Sequence, residues 1–178
     1  VPYLFVPAAR RDFWRRRLQA FPGKLKIGLS WAGSPGNPDD RNRSCPLSAL
    51  TPLLELPDIA WINLQLGPGR EQLQVSQAPV HDWGDEQTTY AETAALMTEL
   101  DLIITVDTSI AHAAGALGIP VWIMLTLIPD FRWLLKRDDS PWYPTARLFR
   151  QTASGDWLGV VDAMRSALMD GEAVRRIA

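Results

Sequence analysis

The sequence predicts an α/β protein built on a doubly wound, largely parallel six-stranded sheet, and three observations carry that expectation. Short apolar runs rich in β-branched residues alternate with stretches of helical period along the whole chain. The stretch 102–125, LIITVDTSIAHAAGALGIPVWIML, reads as a complete strand, helix, strand unit. Near the end, Trp157, Val161, Met164 and Leu168 recur at the spacing of one buried helix face.

Within 102–125, residues 102–106 have the length and composition of a strand buried on both faces. Asp107 stops the run, Thr108 and Ser109 are good N-cap residues, and Ala111, Ala114 and Gly115 are small residues at helical spacing. Gly118 and Pro120 end the helix before the next apolar run. In a parallel sheet this places the 107–109 turn at the carboxyl edge, where open α/β folds bind ligands and first-turn amides favour an anion. The hydroxyls and small residues serve equally well as caps and close packing, whereas an Asp ending a buried strand needs a partner or water. His112, one turn after Thr108, can face the same mouth, although a lone helical histidine is more often structural.

Composition narrows the field. The chain has 178 residues, nearly half of them apolar, enough for a sizeable single core. Its net charge of −2 argues against a dedicated nucleic-acid binder. A single cysteine, Cys45, leaves no internal disulfide framework and no cysteine-built metal site. The apolar stretch 119–128 is too short to span a bilayer as a helix and no signal peptide is read, so a cytoplasmic protein is expected. The chain lacks an initiator Met, which points to a piece of something longer. Eight tryptophans, several in polar surroundings, suggest clefts or an absent neighbour.

In chain order, residues 1–22 read as a lead-in, with a helix over 12–18 that sets Phe13, Trp14 and Leu18 against Arg15, Arg16 and Arg17. Pro22-Gly23 then opens the domain proper, 23–178. A strand over 24–31 runs into a loop, 33–45, with no apolar period. Such a loop is either functional or a charged surface excursion; Gly33, Arg41 and Arg43 are suited to surrounding a diphosphate. It has neither a Walker sequence nor three spaced glycines. A helix over 48–56 and a strand over 59–64 follow, and at the next turn Gln65, Arg70 or Glu71 can reach a ribose or base. After a strand over 80–83, Thr89 and Glu92 form a capping box for a helix reaching about 99, with Tyr90, Ala94 and Met97 on one face. Beyond 125 come a short helix from 129, an aromatic loop over 138–144, a strand over 146–149 and a helix over 155–169.

Four phrases, LSWAGSPGNPDDRNRS, LDLIITVDTSIAHAAGALGIPVW, FRWLLKRDDSPWYP and RLFRQ, together resemble the carboxyl-terminal half of bacterial proteins in which tetratricopeptide repeats precede a glycosyltransferase domain. That domain is related to glycosyltransferase family 9, the lipopolysaccharide heptosyltransferases, and the resemblance runs from about Leu25 to the end. It implies one Rossmann-like half of a GT-B architecture, the half that holds the nucleotide-sugar donor. The family's Asp-Thr-Gly turn, which holds donor phosphate and sugar, falls on Asp107, Thr108 and Ser109, with serine replacing the glycine. Its helical histidine matches His112, and its phosphate-contacting basic residue falls on Arg41 or Arg43. Phe131 departs from relatives that often carry Trp there.

The resemblance further implies inverting, metal-independent transfer, with a nucleotide-diphosphate sugar as co-substrate and no other cofactor. The acceptor is a glycan, a lipid-linked glycan or a protein. The amino-terminal half, with or without the repeats, is expected in the same full-length chain and supplies the catalytic base, so none is assigned here. No spaced Asp-x-Asp pair is present. Two alternatives stand beside this reading. A non-catalytic module binding a nucleotide-sugar or a protein is raised by Ser109, and a GT-B epimerase would have to draw its acid and base from His112 and Asp107.

Overall fold

The computed structural model describes residues 2–171. The last part of the domain read as 23–178 lies outside the described residues. Six strands, β1 (Leu25–Ser30), β2 (Ile59–Asn63), β3 (Val80–His81), β4 (Leu102–Val106), β5 (Val121–Leu125) and β6 (Ala146–Arg150), form one sheet. Their order is β3-β2-β1-β4-β5-β6, and every neighbouring pair is parallel. The expected doubly wound sheet is therefore present, in the Rossmann-type order. After β1 the chain builds outward to β3, then crosses back to place β4 on the other side of β1. The carboxyl ends of β1 and β4 consequently flank the switch point, where a crevice must open because the connections leave in opposite directions.

The pleat alternates side chains between two cores. Leu102, Ile104 and Val106 of β4 pack with α3 (Thr51–Leu54) and α7 (Trp157–Met169) on one face, and Ile103 packs with α5 (Tyr90–Met97) and α6 (Ser109–Leu117) on the other. All of β4 and β5 is buried, which is why both read as unbroken apolar runs. The small residues of α6 are buried from Ala113 to Ala116 and let the helix lie close on the sheet, and Gly118, in the left-handed region at φ 74°, ends it as expected. The short helices α2 (Asp40–Arg43) and α4 (Gln72–Ser76) lie in the connections after β1 and β2.

Three local expectations need correction. The helix read over 48–56 splits into a 3-10 turn, Leu47–Leu50, followed by α3. Pro52 has no amide to bond the Ser48 carbonyl, which instead accepts from the backbone N–H and hydroxyl of Thr51. The capping box is half formed: Thr89 Oγ1 accepts from Glu92 N at 3.3 Å, while the Glu92 carboxylate turns to Arg10 and to Trp14 Nε1. Tyr90 leaves the buried face of α5, which is built from Thr93, Leu96 and Met97.

The lead-in segment also contributes to the core. Helix α1 (Ala8–Leu18) starts before the expected residue 12, and its Trp14 is wholly buried against α5. Its arginines form a seam with acidic partners: Arg10 with Glu92, Arg11 and Arg15 with Glu99, and Arg17 with Glu86. Most tryptophans are likewise structural rather than markers of clefts. Trp14, Trp31, Trp61, Trp122, Trp133 and Trp157 are buried.

Candidate functional site

A cavity of about 570 Å³ opens at the carboxyl edge between β1 and β4. Its walls include Gly33, Arg43, Gln65, Asp107, Thr108, Ser109 and His112, so most of the residues singled out from sequence converge there. Arg41 is exposed and outside this wall, as is Glu71.

The β4 turn is built differently from the sequence expectation. Thr108 occupies the N-cap position of α6 in an extended conformation, but its hydroxyl meets the Thr105 hydroxyl at 3.2 Å and makes no cap bond. A helix leaves its first amides without intrahelical partners, so the first turn of α6 borders the cavity uncapped. Ser109 begins α6 without a positive φ and is exposed, so the position does not require glycine's conformational freedom.

The 33–45 loop is a fastened clip rather than a floppy excursion. Gly33 N donates to Ser44 Oγ at 2.9 Å, Ser44 Oγ to Asp40 Oδ1 at 3.1 Å, and Cys45 N to the Trp31 carbonyl at 2.8 Å. Those bonds carry Arg43 across the switch point, where Nη1 donates to the Asp107 carbonyl at 2.9 Å and Nε to Asp40 Oδ1 at 3.2 Å. The remaining nitrogen, Nη2, lies over Gly33, where a Cβ would stand 2.5 Å from it. Of the two arginines left open by the sequence, the structure brings Arg43 to the turn.

Gln65 is a strut. Its Oε1 accepts from Ser30 Oγ, Trp31 N and Ala32 N at 2.9–3.0 Å, and its Nε2 donates to the Pro68 carbonyl at 2.7 Å. The amide expected to reach a ribose or base is thus occupied in tying the mouths of β1 and β2 together. Glu71 Oε2 accepts from Gly69 N at 2.8 Å, and Arg70 pairs with Asp82 and Asp85. Among the wall residues that were not site candidates in the sequence are Tyr90 and Arg132. The sequence sets Tyr90 on one face of α5 with Ala94 and Met97, yet its hydroxyl donates to the Ser109 carbonyl at 2.8 Å. Arg132 follows no periodic pattern, and only the fold brings it beside His112.

His112 forms one end of the cavity. It stacks on Trp133 at 5.2 Å between centroids, and Nδ1 hydrogen-bonds the Tyr143 hydroxyl at 3.0 Å. Its Nε2 is 3.9 Å from Asp107 Oδ1, beyond hydrogen-bond length. Burial pushes its pKa down; Asp107 pulls the other way and Arg132 adds to the lowering. The lowering favours the neutral ring at pH 7, so His112 and Asp107 form no fixed ion pair there.

The other histidine, His81, is also lowered, by burial and then by Lys24. Below about pH 6.5 the unfolded chain therefore binds more protons than the folded one. The stabilisation is fully present above that pH and is lost as pH falls through the folded values. Unfolding midpoints should accordingly drop between pH 7.5 and pH 5, and His112→Gln should flatten that slope. An equal slope in the variant would remove His112 from the account.

Fold and crevice together define a Rossmann-like α/β domain of the kind found in GT-B enzymes. The structure superposes on E. coli ADP-heptose LPS heptosyltransferase II with a TM-score of 0.62 at 15% identity, covering 95% of this chain and 54% of that one. The glycosyl transferase family 9 protein of Veillonella parvula gives 0.60 at 12% identity, covering 95% and 45%. A UDP-GlcNAc 2-epimerase from Neisseria meningitidis, bound to UDP-GlcNAc, gives 0.56 at 15% identity, covering 96% and 43%. In sequence the chain is 27% identical over 174 residues to Protein FlbA of Caulobacter vibrioides, covering 94% of this chain but 29% of that protein. The chain thus spans about half of these solved structures and less than a third of FlbA. No family model matches. Among the described residues, no helix is long and apolar enough to cross a membrane, and no group of three or more His, Cys, Asp or Glu residues is placed to hold a metal ion.

Proposed function

We propose that this chain is the donor-binding half of a glycosyltransferase that moves a sugar, with inversion, from a nucleotide-diphosphate sugar to an acceptor hydroxyl. The observation that carries the reading is the convergence of the uncapped α6 turn and the Arg43 guanidinium on the switch-point cavity. Backbone amides and a guanidinium are preorganised donors for phosphate oxygens and need no reorganisation as charge develops on the departing diphosphate. In this reading they neutralise the leaving group, Asp107 faces the donor sugar, and no metal is required. The base that deprotonates the acceptor comes from the amino-terminal half, and the nucleotide-sugar implies a cytoplasmic site of action. The acceptor is a glycan, a lipid-linked glycan or a protein.

A second reading, epimerisation of the sugar on its nucleotide, is favoured by the epimerase among the structural neighbours and by the closeness of His112 and Asp107 in the cavity. Ser109, the feature that raises a non-catalytic module, lines the same cavity.

Thermal unfolding with a panel of nucleoside diphosphates and their sugars tests nucleotide binding. A ligand at a hundred times its dissociation constant adds about 2.7 kcal/mol and should raise the midpoint by several degrees. A panel without any shift would overturn the reading. On the full-length chain, nucleotide release with acceptor marks transfer, and a changed sugar without acceptor marks epimerisation.

A further inference from the structure

Beyond His112 and Arg132 the crevice continues into a second, aromatic bay of about 410 Å³, lined by those two residues with Tyr3, Trp142 and Tyr143. Trp142 is 61% exposed while the other tryptophans are buried or half-buried, and Tyr3, in the same wall, is 63% exposed. An exposed indole is ordinarily mobile, but this one is fixed: Nε1 donates to the Arg132 carbonyl at 2.9 Å and its backbone N–H to Ser140 Oγ at 3.3 Å. The loop beneath is pinned in turn, with Arg150 Nη2 donating to the Trp133 carbonyl and Asp130 Oδ1 accepting from Arg132 N. Tyr143 lies on α6 at Gly115, where any Cβ would overlap its ring, and its hydroxyl holds His112. The bay is therefore a built surface of fixed rings with a hydroxyl and a guanidinium at its rim.

We propose that this bay is a carbohydrate subsite that takes the pyranose ring of the donor. The proposal rests on the donor-binding reading above and deepens it. A pyranose offers a C–H face that stacks on an indole or phenol and a rim of hydroxyls that needs donors and acceptors, which is the pairing the bay presents. Order along the carboxyl edge of the sheet sets the direction. Leu66 and Pro68, after β2 and across β1 from β4, line the crevice on one side and suit a base. The α6 amides and Arg43 hold the middle, where a diphosphate belongs. The sugar then falls on the His112 side, against Trp142 and Tyr3.

Calorimetric titration with matched pairs (ADP and ADP-glucose, UDP and UDP-N-acetylglucosamine, GDP and GDP-mannose) tests this in the wild type, Trp142→Ala, Trp142→Phe and Tyr3→Ala. Both positions are largely exposed, so the variants should fold, and their melting curves verify it. For the pair that binds, Trp142→Ala should weaken the nucleotide-sugar roughly tenfold and leave the free diphosphate within about twofold. Tyr3→Ala should act in the same direction, and Trp142→Phe, which keeps an aromatic face but loses the Nε1 bond to Arg132, should restore part of the loss. Equal weakening of the free diphosphate would put the base in the bay and overturn the assignment, as would unchanged affinity for both. If no diphosphate binds the wild type, the donor-binding reading itself fails.

Discussion

Replacing Arg43 by Ala is expected to weaken nucleoside diphosphate binding roughly tenfold to a hundredfold, the worth of one or two hydrogen bonds to a charged group. The guanidinium is held at the switch point by Asp40 and the Asp107 carbonyl, and no other described arginine bonds the β4 turn. Gly33→Ala should reproduce part of the loss, because the new methyl would overlap Nη2 and the Asp40 carboxylate and move the guanidinium off its perch. Arg41→Ala, on the exposed side of the same short helix, should change nothing. Calorimetric titration of the three variants checks the ranking; equal losses at 41 and 43 would mean that the loop acts through bulk charge alone.

The largest expected stability effect lies far from the cavity. Trp14→Ala removes a wholly buried indole that contacts the Glu92 carboxylate and stacks near Trp83, and should cost about 3–5 kcal/mol. In a chain of this length that lowers the unfolding midpoint by roughly ten degrees. By contrast, Arg15→Ala breaks pairs at a half-exposed side chain and should cost well under about 1 kcal/mol. A small effect at Trp14 would show that α1 is dispensable for the sheet.

These contrasts show which information was local in the sequence. The β4–α6–β5 unit was legible because its signals are adjacent: an apolar run, a polar break, small residues at helical spacing and a glycine stop. The buried strands could likewise be read from composition. What escaped depends on partners distant in the chain. The seam that recruits α1 joins Arg11 to Glu99 across 88 positions. Gln65 was visible as a polar residue at a strand mouth, but its role as a strut emerges only when β1 and β2 stand side by side. Tyr90 fitted a helix face and Arg132 no pattern, yet both border the cavity. The cap at Thr108 misled for a different reason: a second hydroxyl, from buried Thr105, competes for it. The position of the 107–109 turn at the carboxyl-edge cavity was legible in the sequence, whereas the placing of Arg43 rather than Arg41 there needed the clip through Ser44.

The most direct test of the account is a crystal structure of the chain with a nucleotide-sugar that raises its unfolding midpoint. The account predicts the diphosphate on the first-turn amides of α6, within hydrogen-bond reach of Arg43, with Asp107 and His112 on the sugar side. A ligand seated elsewhere on the domain, or at this mouth without contact to the α6 amides, would contradict it.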